Sequence, residues 1–341
     1  MLTFCKAEKP SILEHLNLVL PLARYRLRFE SSGKGRLPDY LGSAWRGVLG
    51  HALKKTVCVT SLSTCPPCLL YRSCPYPYIF ETPPPLTAQK MRKYSAAPHP
   101  FLLELEHTPE NDVDQVGLTL VGHGNRYLAY FIHAFQRAGT QGLGKDRVQM
   151  RLIDVRQAEP PEADMWMPIY QPGGVLEPRP PALPSVPPAP PVIRLRFETP
   201  LRLQRGGRLV TARLFQFSDL FSTLLRRVSM LTYFHTDTPL ETDFAELIAQ
   251  ARKVELAAAN LVWRDWTRYS SRQKTTMQMG GLLGEIVLDL SEEFPFWPYL
   301  WLGQWVHAGK ATSMGLGHYT LLSRQACRTT RIAAGESILK P

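Results

Sequence analysis

Tyr25-Arg-Leu-Arg-Phe-Glu-Ser31 returns later in the chain as Ile193-Arg-Leu-Arg-Phe-Glu-Thr199, with five consecutive identities. Apolar and charged residues alternate in both copies, which is the period of a half-buried β-strand. A second pair of segments follows at nearly the same offset. Phe131, Phe135, Ala138 and Gly139 correspond to Trp301, Trp305, Ala308 and Gly309, and Gly142-Leu-Gly144 matches Gly315-Leu-Gly317 after a three-residue insertion. Two matches in the same order and at the same spacing indicate an internal duplication. The chain reads as two copies of one α/β unit, each opening on a strand and closing on a helix, a glycine-rich loop and a strand.

Helical spacing runs over residues 40–55 and 219–234, and strand-like runs occupy 101–105, 117–121, 148–155, 284–290 and 319–322. The first unit then reads strand, helix, strand, strand, helix, strand. That is the split βαβ of a ferredoxin-like (RRM-like) fold, in the α+β class. The second unit is compatible with it but adds a hairpin near 202–210 and has a less regular middle. Residues 160–191 hold twelve of the chain's 30 prolines, a density that suits a semi-rigid, partly extended connector rather than helix or central strand. The expected organisation is an N-terminal ferredoxin-like domain over 16–158, with a cysteine-rich insertion at about 56–80, and a linker over 159–191. A C-terminal ferredoxin-like domain over 192–325 and a patternless tail over 326–341 complete it.

A length of 341 residues fits two domains, and 44% hydrophobic content at a mean hydropathy of −0.16 describes a chain that buries real cores. Lys+Arg 40 against Asp+Glu 29 gives a net charge of +11 and a pI near 9.5. Such an excess favours polyanionic partners, nucleic acid first, although a basic enzyme without a polyanion stays open. Lys6, Glu8, Lys9 and Glu14 are foreign to a signal peptide's apolar core. The most apolar stretch, residues 294–308, is too short to span a bilayer and reads as a buried helix. The expected address is the cytoplasm, with no membrane partner and with thiols or metal ligands rather than disulfides.

Cys58, Cys65, Cys68 and Cys74 form a C-x6-C-x2-C-x5-C pattern with Pro66-Pro67 inside the CxxC. Four thiolates so spaced can wrap one tetrahedral Zn²⁺ and tie down a loop that has little core of its own. Unligated thiols and an iron–sulfur cluster remain the alternatives. With four protein ligands the metal would be structural, because no coordination position stays open for chemistry.

Gly309-Lys-Ala-Thr-Ser-Met-Gly-Leu-Gly317 follows a helix, so the helix end that faces it is negative, which argues against a P-loop. Glycines can still fold such a loop into an N–H nest for a phosphate, with Lys310 adding charge. A helix C-cap and a tight turn would account for one or two glycines but not for three with Thr312 and Ser313 between them. The surroundings are basic. Arg264, Arg268, Arg272 and Lys274 alternate with Trp263, Trp266 and Tyr269, and Arg226, Arg227 and Arg46 lie on helices. Interleaved cations and aromatics suit phosphate contact and base stacking, against the plainer reading of a solvated segment whose aromatics pack inward. The expected RNA-contacting set is these cations with Gly309, Lys310, Thr312, Ser313, Gly315 and Gly317.

These residues carry a family resemblance. The Gly309–Gly317 loop resembles the glycine-rich loop of the RAMP (repeat-associated mysterious protein) superfamily of CRISPR systems, and Leu41-Gly-Ser-Ala-Trp-Arg-Gly-Val-Leu-Gly50 looks like that superfamily's small-residue first helix. With Arg268-Tyr-Ser-x-Arg-Gln273, Gly280-Gly-Leu-Leu-Gly284 and Cys74-Pro-Tyr-Pro-Tyr78, the match is nearest to the precursor-crRNA-processing endoribonucleases and spans about 24–323. The resemblance implies tandem ferredoxin-like domains that bind CRISPR repeat RNA and cut it once, without metal, to leave a mature guide RNA. Association with other effector-complex subunits is a further expectation. A non-catalytic RAMP subunit that only holds crRNA, and a zinc-dependent RNA-binding module, are the rival readings. One departure stands out: His307 occupies a position where the family's loop often begins with another glycine.

Metal-free cleavage needs a base for the substrate's 2′-hydroxyl, a cation for the developing phosphorane charge and an acid for the 5′-oxygen. Enzymes of this kind resemble one another in carrying the base on or near the first helix, where His51 is the only histidine. Lys54 and Lys55, three and four residues on, are expected to share its face. Tyr40 lies eleven residues before His51, roughly 16 Å away along a helix, and would join them only if it preceded the helix and the chain folded back. His307, His318 and His123 are next in line.

Overall fold

The computed structural model describes residues 18–31, 35, 37–38, 40–90, 96–106, 113–270, 275–290 and 294–323. Its first unit comprises β1 (Leu22–Ser31), α1 (Leu41–Val57), β2 (Phe101–Glu106), β3 (Val113–Val121), α2 (Leu128–Gln141) and β4 (Met150–Ala158). The strands pair antiparallel in the order β2-β3-β1-β4, the ferredoxin-like arrangement. The period-two pattern of β1 explains its placement. Tyr25, Leu27 and Phe29 face the helices and are buried, while Arg24, Arg26 and Arg28 line the other face. Trp45, Leu49, Ala52 and Leu53 of α1 meet Phe131, Ile132, Phe135 and Ala138 of α2 over that inner face. Phe29, Trp45 and Phe135 form an aromatic cluster there, with ring centroids 4.9 and 5.4 Å from Trp45.

The proline-rich connector contributes more structure than its composition suggests. Residues Trp166–Tyr170 form β5, a fifth strand on the β4 edge, where Pro168 costs no interior ladder bond. Further on, Gln157 exchanges hydrogen bonds with the Arg179 backbone at 3.0 and 2.9 Å, and Leu22 bridges Ala182. Carbonyls of Ser185 and Pro187 accept the indole N–H groups of Trp301 and Trp297. The connector is laid along both units by its carbonyls, which proline retains.

The second unit repeats the order. It comprises β6 (Val192–Leu201), α3 (Phe217–His235), β9 (Ala258–Arg264), β12 (Gly281–Asp289), α5 (Trp297–Val306) and β13 (Tyr319–Ser323), paired β13-β6-β12-β9. The two sequence repeats therefore fall on the opening strands β1 and β6 and on the second helices α2 and α5. Three additions interrupt the pattern: the hairpin of β7 (Gln204–Arg205) and β8 (Arg208–Leu209), the helix α4 (Phe244–Ala251), and the hairpin of β10 (Thr267–Ser270) and β11 (Thr275–Gln278). The first of these is the extra hairpin expected near 202–210. Arg205 from it forks onto Asp219, which also caps the start of α3. Among the described residues no helix is long and apolar enough to cross a membrane.

The units share a core. Leu18, Leu20, Leu22, Leu102 and Val121 of the first pack into the cluster built on α3 and α5 of the second. The glycine loop of the second unit in turn sits on α1 and β2 of the first. A Cβ at Gly42 would run into the Met314 carbonyl, and one at Gly315 would stand 2.7 Å from the Leu103 carbonyl. Gly47, one turn further along α1, has nothing within 4 Å of where its Cβ would be. Gly42→Ala should therefore lower stability by about 1–3 kcal/mol, as overpacking does. Gly47→Ala should raise it by up to about 1 kcal/mol through helix propensity. Thermal or urea unfolding of the two variants checks this pair, and equal responses would contradict the docking.

Candidate nucleic-acid interface

The glycine loop owes its course to a run of left-handed backbone conformations. His307 has φ +56°, Gly309 +83°, Ala311 +62°, Gly315 +90° and Gly317 +72°. Glycine is at home there, whereas His307 and Ala311 are strained. His307 is held by its surroundings. Its ring is fully buried, stacks on His318 at 4.9 Å and lies 3.5 Å from the Glu104 carboxylate. Burial opposes ionisation of Glu104, yet the His307 contact and the nearby His318 and Arg24 lower its pKa to about 2. The departure from glycine at 307 thus places a ring against β2 of the other unit, where burial lowers its pKa to about 4 and Nε2 has no hydrogen-bond partner.

The loop does not present an open N–H nest. The amide of Lys310 donates to Arg202 at 3.1 Å, Met314 to Ala311 at 3.0 Å, Gly315 to Thr312 at 2.9 Å and Gly317 to Pro200 at 3.2 Å. Thr312 and Ser313, expected to face RNA, are buried because α1 covers them. Lys310 alone among the loop's polar side chains is exposed.

Two side chains fasten α1 to this loop. Tyr40 stands at the N-cap in extended conformation, its hydroxyl donates to the Met314 carbonyl at 2.7 Å, and its ring lies 4.5 Å from that of Trp266. It does precede the helix, but its hydroxyl is spent on the loop. Arg46 donates from Nε to Ser313 Oγ and from Nη2 to His99 Nε2, each at 3.0 Å. Arg46 is therefore a tie between the units rather than a surface cation. Arginine can only donate, so His99 Nε2 accepts and its Nδ1–H meets Thr82 Oγ1 at 2.7 Å. His235 is held alike: Nε2–H donates to the Pro98 carbonyl at 2.8 Å and Nδ1 accepts from the Tyr78 hydroxyl at 3.0 Å. Both rings are neutral. Burial lowers the pKa of His99 to about 3 and that of His235 to about 4.

The remaining expected residues divide. His51 and Lys55 are exposed on α1 and share a face with Gly47. Lys54 leaves that face; it donates to the Ser63 carbonyl at 3.1 Å and sits 5.6 Å above the Tyr76 ring. Arg226, Arg264 and Lys310 are exposed, but Arg227 is not a surface residue. Its guanidinium is buried against the Val306 carbonyl, and burial lowers its pKa to about 9. Arg272, Lys274 and the side chain of Arg268 lie outside the described residues. Trp263 and Trp266 flank the turn between β9 and β10, and Trp266 brings that turn to Tyr40. His99 and Glu104 are the junction residues that sequence reasoning missed, and Tyr40 was weighed there only as a partner of His51. Gly42 in a helix was the one available signal of a close approach there.

Cys58, Cys65, Cys68 and Cys74 all line one small cavity at the C-terminal end of α1. Backbone N–H groups of Ser61 and Thr60 lower the Cys58 pKa, while burial and Glu81 raise that of Cys65 to about 11. Among the described residues no group of three or more His, Cys, Asp or Glu side chains already stands as a closed metal site.

Comparison with known proteins assigns the arrangement. Residues 20–181 match a family model described as an N-terminal domain, and residues 195–319 match the CRISPR-associated endoribonuclease Cas6. The second unit therefore matches the Cas6 endoribonuclease family. Solved Cas6 structures share the chain's fold. A product complex of Thermus thermophilus Cas6 aligns with a TM-score of 0.56 at 19% identity, covering 88% of this chain and 100% of that one. A partial Cas6-RT-Cas1–Cas2 complex gives 0.53 at 14% identity, with 89% and 46% covered. A comparison with curated proteins finds none that matches. The Cas6 likeness therefore rests on the family model and on tandem ferredoxin-like architecture.

His99 and His235 make the junction acid-sensitive. Their folded pKa values lie below the ordinary 6.5, so their neutral forms support the fold above that pH. That support is lost as pH falls from 6.5 toward 4, by up to about 1.4 kcal/mol per pH unit for each ring. Urea unfolding at a series of pH values should show this slope, and His235→Asn should make it shallower by about one ring's share. An unchanged slope would contradict the burial of a neutral imidazole.

Proposed function

We propose that the chain binds CRISPR repeat RNA in the cytoplasm and cuts each repeat once, without a catalytic metal, to release mature guide RNA. The observation that carries this reading is the seating of the glycine loop on α1. It joins the helix bearing His51 and Lys55 to the loop bearing Lys310, one element from each unit. Gly47 supports it further, since bare backbone one turn before His51 leaves room for a strand to lie close. A Cas6 product complex and a Cas6-RT-Cas1–Cas2 complex are known among proteins of this fold.

In the proposed reaction His51 takes the proton of the 2′-hydroxyl, whose oxygen attacks the adjacent phosphorus. The P–O5′ bond breaks, the 5′-oxygen collects a proton, and a 2′,3′-cyclic phosphate remains on the upstream fragment. Lys55, one helical turn beyond His51, offsets charge on the phosphorane oxygens. Lys54, turned toward Ser63, braces the helix. Arg226, Arg264 and Lys310 hold the RNA backbone electrostatically, so binding should weaken as salt rises.

Incubating the full chain with repeat RNA, with EDTA added at the start, should yield a single cut and a cyclic phosphate end. His51→Ala should slow cleavage by about 10²–10⁴ with little change in RNA affinity, because the side chain is exposed and holds nothing in the fold. Intact RNA that binds tightly would instead establish a non-catalytic subunit that holds crRNA. A cut that His51→Ala leaves intact and His318→Ala abolishes would move the base to the loop.

A further inference from the structure

The connection between α1 and β2 plays no part in that chemistry, and it poses a physical question. Between Cys58 and Cys74 only Cys65 is buried, while Val59 and Leu69 are 78% and 88% exposed. No helix or strand lies between these two cysteines. The path between them is nevertheless defined by consecutive turns. Cys68 N–H donates to the Cys65 carbonyl at 2.9 Å, Tyr71 to Cys68 at 2.9 Å, and Cys74 to Leu70 at 2.8 Å. Ordering backbone costs about 1–2 kcal/mol per residue, and one buried side chain does not offset that over such a length. Something other than an apolar core has to hold these turns.

The four thiols supply a candidate. Cys58 enters from the end of α1, Cys65 and Cys68 from the two ends of the Pro66-Pro67 turn, and Cys74 from just before Pro77–Glu81. All four line the same cavity. Backbone N–H groups of Thr60 and Ser61 face the Cys58 sulfur, and that of Tyr76 faces Cys74. Lys54 adds a positive charge at the rim of the cavity. None of the four is in a disulfide.

We propose that Cys58, Cys65, Cys68 and Cys74 bind one Zn²⁺ in a tetrahedral, structural site that fastens this connection to the C-terminal end of α1. Zn–S bonds of about 2.3 Å require the sulfurs to close in on the cavity, since they do not yet stand in ligating geometry. The Cys65 thiol must part from Glu81 as it does so. Closure would brace α1 from behind, where Lys54 already grips Ser63 and where the Phe80 ring packs on Gly50.

Elemental analysis of the full chain, purified without added metal, should find one zinc per molecule. Cys68→Ser and Cys74→Ser should lose it, whereas Cys5→Ser and Cys327→Ser should keep it. A mercurial should release the zinc as it caps the four thiolates and should lower the unfolding temperature, which an excess of free thiol followed by zinc then restores. This metal count needs no folded variant. Iron in place of zinc, a disulfide among the four, or a metal-free chain whose unfolding ignores added zinc would each overturn the proposal.

Discussion

The structure turns on one close approach between two backbones. The Met314 carbonyl of the C-terminal glycine loop comes so near α1 that only glycine fits at position 42, and the Tyr40 hydroxyl bonds the same oxygen. Arg46, one turn on, closes the contact from the side through Ser313. Two ferredoxin-like units, each with its own sheet and helices, become one body at this point. Apolar packing of Leu20, Leu22 and Leu102 into the second core supplies the bulk of the adhesion, but it is not directional. The hydrogen bonds to Met314 and Ser313 fix the register.

The junction is polar for a reason that follows from its makeup. Glu104, His307, His99, His235 and Arg227 are all drawn into it; both ring nitrogens of His99 and His235 are partnered, while His307 Nε2 and Arg227 Nη2 have no hydrogen-bond partner. A carboxylate beside imidazoles, an imidazole beside an arginine that can only donate, and a guanidinium against a carbonyl are arrangements that specify one docking geometry. Burial of this many titratable groups also makes the geometry conditional on pH. The strained His307 sits at the centre of this network. Its side chain supplies in the second unit what a glycine could not, a link to Glu104 across the boundary.

Much of the fold was legible because it is periodic. The duplicated Arg-Leu-Arg-Phe-Glu strand and the Phe131/Trp301 helices repeat, and repeats announce themselves. β9 was not legible: its Ala258-Ala-Asn260 start is exposed on a sheet edge and carries no alternation. β5 was hidden by Pro168, which an edge strand tolerates. The site was legible in part. That the first helix and the glycine loop matter could be read from their small residues. That they touch each other could not, because Arg46 and Ser313 are far apart in sequence and neither has a pattern that points to the other. Thr312 and Ser313 looked like ligand contacts for the same reason that they are useful in a packed junction: short side chains that hydrogen-bond. Lys54 shared His51's spacing but was drawn away by the cysteine-rich connection, whose turns no periodicity describes.

The account's central claim is that the joined surface of α1 and the glycine loop holds the scissile phosphate. A structure of the chain with repeat RNA carrying a 2′-deoxy nucleotide at the cut tests it most directly. The expected result is the scissile phosphate over the Gly47–His51–Lys55 face, with the His51 ring within about 3 Å of the 2′-position and Lys310 on a neighbouring phosphate. RNA bound on the opposite side of the molecule, with α1 bare, would contradict it.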